Sequence, residues 1–131
     1  MKRTNKNTII WLLLIACLAV SCVKEDPDEV SAKFTTDLTN NTLQVGSDFT
    51  LDLNQADGEF LTYFTGETPE QTYPDGVMGI AIENTESDFV TIGSAYSTTG
   101  TFTFTLVARS YGNWGEDLNE TSESIQITVV E

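Results

Sequence analysis

Along most of this chain hydrophobic and polar residues take turns. From Ala32 onward the alternation has period two, which sends successive side chains to opposite faces of a strand. "KFTT" reads as a short opening strand. "TLQVGSDFTLDLN" puts Leu43 and Val45, then Phe49, Leu51 and Leu53 beyond a kink at Gly46, on one face, with Thr50 and Asp52 on the other. "EFLTYFTG" is apolar on both faces, as a central strand would be. "VMGIAI" and "DFVTI" predict two short strands parted by the polar "ENTES". The clearest alternation is "GTFTFTLVARS", with Phe102, Phe104, Leu106 and Ala108 inward and Thr101, Thr103 and Thr105 outward. "ESIQITVVE" repeats it through Ile125, Ile127 and Val129. β-Branched and aromatic residues fill these runs, turn formers separate them, and no stretch has helical periodicity. About seven short strands over such a length predict an all-β fold, an antiparallel immunoglobulin-like β-sandwich forming one domain over residues 32–131.

Before Ala32 the pattern breaks twice. "IIWLLLIACLAV", Ile9 to Val20, is an unbroken apolar run of 12 residues behind Lys2, Arg3 and Lys6. A membrane-spanning helix needs about 20 apolar residues, so the run has instead the length and flanks of a secretory signal. It ends in "SCVKEDPDEV", where Lys24, Glu25, Asp26, Pro27, Asp28 and Glu29 follow Cys22 almost at once. Ala19, Val20 and Ser21 ahead of Cys22 resemble the lipobox of bacterial lipoproteins. That resemblance implies a signal peptide over 1–21, removed before Cys22, and acyl chains on Cys22. Two or more chains hold a protein stably where one does not. "LIAC", ending at Cys17, matches the box letters more closely. Cleavage there would cut the apolar run to Ile9–Ala16 and leave "LAV" exposed, so Cys22 is preferred. A plain secreted protein, or a short anchor, with incidental cysteines is the alternative.

Lys24-Glu25-Asp26 resembles the surface-export signal of Bacteroidetes lipoproteins, a lysine and two acids just behind the acylated cysteine. The resemblance implies a lipid anchor in the outer membrane with the protein facing outward. Residues 22–31 then read as an extended acidic tether.

Charge narrows the partners. The chain carries 20 acids and 6 bases, and from Cys22 onward only Lys24, Lys33 and Arg109 oppose all of the acids. Such a surface repels phosphate, which excludes nucleic-acid binding through a basic patch. Cys17 and Cys22 are the two cysteines and there is no histidine, so the folded part has neither a disulfide nor a structural zinc site of the usual type. "DLNQADGE", Asp52 to Glu59, looks like a calcium loop, but Ala56 stands where an oxygen ligand is needed and Asp57 where the turn glycine belongs. No metal or cofactor is called for. Catalysis has little to work with either: there is no G-x-S-x-G elbow and no phosphate-cradling loop, and a chance pair of carboxylates remains the one route to glycoside hydrolysis. The expectation is a protein that is not an enzyme.

"VGSDFTLDLNQADGEFLTYFTGE", "YSTTGTFTFTLVARS" and "SESIQITVV" together resemble a PKD domain, and more closely the PKD-like modules of Bacteroidetes surface lipoproteins. Val45-Gly46 would open the second strand, Tyr63-Phe64-Thr65-Gly66-Glu67 close the third, and Tyr96 with Gly100-Thr101-Phe102 lead into the penultimate one. The usual "WDFGDG" is absent. The resemblance implies a cell-surface binding or display module, its partners a glycan or other components of a polysaccharide-uptake system. The alternative is a structural or protein-protein interaction module of the envelope.

Two connections could carry such contact. "SYGNWGEDLNE", Ser110 to Glu120, sets Trp114 between Gly112 and Gly115, beside Tyr111 and Asn113. An exposed indole suits the apolar face of a sugar ring, with Asn113, Glu116 and Asp117 as hydrogen-bond partners. The same Trp114 could instead fold back as a lid on the sandwich. "GETPEQTYPDG", Gly66 to Gly76, is long for a hairpin link and carries Tyr73. It reads either as a second contact loop or as a rigid connection with Tyr73 packed on the sheet.

Overall fold

The computed structural model describes residues 24–83 and 87–131. The signal, the lipobox, Cys17 and Cys22 lie outside the described residues. In chain order the strands are β1 (Ser31–Ala32), β2 (Thr35–Thr36), β3 (Thr42–Gln44), β4 (Phe49–Asp52), β5 (Ala56–Asp57), β6 (Phe60–Phe64), β7 (Ile80–Ala81), β8 (Phe89–Ile92), β9 (Gly100–Gly112) and β10 (Asp117–Val130). The fold is all-β and sandwich-like. One sheet has the order β3-β10-β9-β6-β7 and a smaller one β2-β4-β8, while β1 and β5 form a separate pair. All pairings are antiparallel except β3 on β10, which is parallel.

Burial of one face of each sheet drives the assembly. Phe49, Leu51 and Ile92 from the small sheet meet Phe104, Leu106, Ile127 and Val129 from the large one, joined by Phe34, Leu43, Leu53 and Tyr96. Phe104 sits at the middle, fully buried, its ring 5.7 Å from Phe34, 5.6 Å from Phe49 and 5.5 Å from Tyr63. Tyr96 packs its ring on Phe102 and donates its hydroxyl to the Thr65 carbonyl at 2.9 Å, so its one polar atom is satisfied inside the core. Burial pushes this phenol well above its ordinary pKa.

The alternation foretold the inward set Leu43, Phe49, Leu51, Leu53, Phe104 and Leu106. It erred where a face has an unexpected neighbour. Val45 is exposed because the chain turns away at Gly46, which has φ +75°. Thr105 is buried although it points away from the core. The reason is the Gly66–Gly79 connection, which folds back over the outer face of the large sheet. Tyr73 lies 5.5 Å from the Phe64 ring, and Gly79 sits against Phe64 and Thr62. "VMGIAI" gives only β7, with Val77, Met78 and Ile80 exposed along a sheet edge.

Candidate functional site

The connection expected to be a loop from Ser110 to Glu120 is mostly strand. β9 and β10 stay paired until Gly112 faces Asp117, leaving four residues to turn the chain. Pairing continues because "ARSYG" and "DLNET" stay in register, Ala108 facing Thr121 through Gly112 facing Asp117, and alternate residues exchange backbone bonds across the ladder. The turn closes through consecutive left-handed residues, Asn113 (φ 47°), Trp114 (φ 60°) and Gly115 (φ 89°). Asparagine and glycine tolerate that region; tryptophan does so at a cost of about 1–3 kcal/mol. Asn113 Nδ2 donates to Glu116 Oε2 at 3.0 Å, and the Glu116 amide donates to the Asn113 carbonyl at 3.2 Å. Trp114 is 98 % exposed. It does not fold back over the sandwich.

One side of this hairpin end is covered by the segment that precedes β1. The Asn113 amide donates to the Glu25 carbonyl at 2.8 Å, and Asn119 Nδ2 to the Asp28 carbonyl at 2.9 Å. Gly112 permits this approach, since a Cβ there would overlap the Glu25 carbonyl and Pro27. Asp117 Oδ2 is buried without a hydrogen bond, and its partner among the described residues is the Lys24 ammonium at 3.2 Å. Residues 24–31, read from sequence as extended, therefore run along the hairpin from its tip toward the body.

The opposite side carries an aromatic group. Phe60 packs edge-on against Tyr111, centroids 5.7 Å apart, and Leu118 is opposite Tyr111 in register. Phe60, Tyr111 and Leu118 are each about half exposed. The Tyr111 amide donates to Glu59 Oε2 at 3.1 Å. Glu25, Glu59, Tyr111, Asn113 and Trp114 line an open hollow between the hairpin and the preceding segment. The structure thus brings Tyr111, Asn113, Trp114 and Glu116 together at one end. Asp117 is drawn off to Lys24, and Tyr73 is elsewhere: its hydroxyl donates to Glu120 Oε1 at 2.8 Å, on the outer face of the sheet. Sequence reasoning missed Phe60 and Glu59; the doubly apolar "EFLTYF" held the signal for Phe60, whose outward face has no covering element.

The carboxylates with clearly shifted pKa values lie away from the tip. Glu120 is held below its ordinary range by its hydrogen bond from Arg109, then by that from Tyr73. The Tyr73 phenol is raised chiefly by the same bond to Glu120. For Glu67 partial burial pulls upward, but bonds to one oxygen from the Ser97 amide (2.6 Å) and hydroxyl (2.9 Å) and the Thr98 amide (2.8 Å) and hydroxyl (3.0 Å) outweigh it, and its pKa is lowered. A lowered folded-state pKa contributes stability that is present above the unfolded value and is lost as pH falls through the folded one. The melting temperature should therefore drop as pH is taken below about 4.5. Glu67→Gln should melt lower than the parent at neutral pH and lose less on acidification. Equal acid slopes in a calorimetric series would show that Glu67 contributes nothing there.

Asp52 turns its carboxylate onto the Asn54 amide at 3.0 Å, closing the "DLNQADGE" turn locally. Among the described residues no group of three or more acidic side chains converges as a cation site would require. No protein-family model matches the chain, and no curated protein matches it.

Proposed function

We propose that this chain is a lipid-anchored, non-catalytic display module of the bacterial outer surface, an immunoglobulin-like domain of PKD-like build held at the outer membrane through acyl chains on Cys22. The strand order supports that build: a small β2-β4-β8 sheet faces a larger one whose edge strand β3 runs parallel to β10. The observation that carries the functional reading is the course of the segment behind the anchor. Glu25 bonds at the hairpin tip, Asp28 further along at Asn119, and β1 packs lower still against β9 and β10. A domain fastened in this way has one end near the anchor and its other end, with the Gly46, Ser94 and Ser97 turns, held outward. The non-catalytic reading draws on the carboxylates: Glu67 is held ionised by four hydrogen bonds and Glu120 by two, the reverse of the raised pKa a general acid needs.

Intact cells test the display. Protease added outside should remove the domain while periplasmic markers survive, and protection of the domain until the envelope is broken would refute it. A second reading, contact with a glycan, is favoured by the open hollow lined by Trp114, Tyr111, Glu25 and Glu59. Retention on immobilised surface polysaccharide, lost in Trp114→Ala, would establish it. Equal retention of both forms would leave the module one of protein contact.

A further inference from the structure

We infer that the β9–β10 hairpin tip is a membrane-contact element, in which Trp114 enters the lipid interface beside the anchor. The inference rests on the lipid-anchor reading and assigns that same end of the domain a partner, the lipid surface. Three observations converge on it. The first is distance along the chain. Cys22 precedes Glu25 by three residues, so even a fully extended link keeps it within about 11 Å of the residue bonded to Asn113. The second is direction. Contacts at Asn113 for Glu25, at Asn119 for Asp28 and on the body for Ala32 show the chain moving inward from the tip, so the link to the anchor leaves from the tip end. The third is the indole itself, 98 % exposed on a turn whose left-handed backbone holds it out from the hairpin.

An interfacial element penetrates about 5–10 Å into the headgroup region. Tryptophan is well suited to that depth because its ring is apolar and its N–H can still reach water or a headgroup. Tyr111 and Leu118 lie behind it on the same hairpin, with Phe60 of β6 packed against Tyr111, and extend the apolar surface toward the body. Charge selects the surface. Lys24 is already matched to Asp117, while Glu25, Asp26, Glu59 and Glu116 surround the tip, so a zwitterionic surface fits and an anionic one is repelled. A tip held against lipid would also fix the tilt of the domain, which a single flexible attachment would leave free.

The test uses the protein purified from its own membranes and reconstituted into phosphatidylcholine vesicles. Cleavage before Cys22 removes Trp11 and leaves Trp114 as the one tryptophan, so its emission reports the tip alone. Mass spectrometry of the same sample reads the acylation of Cys22. The expected result is blue-shifted emission, quenched by lipids labelled near the headgroup, with quenching reduced several-fold when phosphatidylglycerol replaces much of the phosphatidylcholine. About ten Gly/Ser residues inserted between Val23 and Lys24 lengthen the link by up to about 35 Å and should cut quenching several-fold, since the tip is no longer held at high effective concentration. An acylated protein whose Trp114 is not quenched overturns the inference and leaves the anchor reading intact. A protein without acyl chains overturns both. Emission that ignores lipid quenchers but is shielded by added surface polysaccharide overturns it in favour of a glycan platform.

Discussion

Phe104→Ala should destabilise the domain by about 3–5 kcal/mol, the ordinary cost of removing a buried phenylalanine side chain. The site is a demanding one. Phe104 has no solvent exposure, sits on the middle strand of the large sheet, and touches the rings of Phe34, Phe49 and Tyr63, which come from three separate segments. Those neighbours belong to paired strands or flank them and cannot collapse into the space without breaking ladder bonds. A domain of this size has about 5–15 kcal/mol in total, so the melting temperature should fall by on the order of 15–30 °C. Phe104→Leu, which keeps most of the volume, should cost about 1–1.5 kcal/mol. Phe89→Ala, at a ring that is mostly exposed, should change stability by less than about 0.5 kcal/mol. Chemical denaturation of the three variants checks the ranking. Similar losses for Phe104→Ala and Phe89→Ala would mean that the sandwich core is elsewhere.

The second large effect concerns location. Cys22→Ser removes the thiol that the acyl chains would occupy and should shift the protein from the membrane fraction to the soluble fraction almost completely. One buried chain gives only marginal, reversible binding, and the strongly acidic domain has no basic patch to compensate. The exposed Trp114 alone is far too small an apolar surface to retain it. Cys17→Ser should leave fractionation unchanged, which separates the two cysteines. Membrane retention of the Cys22→Ser protein would move the anchor to Cys17 or to an uncleaved apolar run.

How much of this was readable beforehand depended on whether a pattern was local. Strands whose neighbours share the same alternation, such as Phe49–Asp52 and Gly100–Gly112, were legible because one apolar face implies one core. The burial of Thr105 was not, because its cross-strand partner Phe64 is packed by Tyr73, which is far off in sequence and reaches the sheet through the Gly66–Gly79 connection. Around the tip, Trp114 was visible as a large residue among glycines. The continuation of strand pairing to Gly112 was hidden by those same glycines, which read as loop. The association of Glu25 and Asp28 with Asn113 and Asn119 could not be read at all, since both acceptors and one of the donors are backbone atoms that carry no residue signature, and an asparagine side chain by itself names no partner. Glu67 was noted as the end of a strand motif and as one of the acids of the Gly66–Gly76 loop. Its bonds to Ser97 and Thr98 join two turns that lie side by side only once the sheets have closed.

The display and membrane-contact proposals share one premise, that a covalent anchor sits just ahead of Lys24. The most direct test is the intact mass of the amino-terminal peptide from protein made in its native cells. The predicted result is a chain beginning at Cys22 and carrying the mass of two or three acyl chains. A peptide that begins upstream of Cys22, or at Cys22 with a free thiol, would contradict the account.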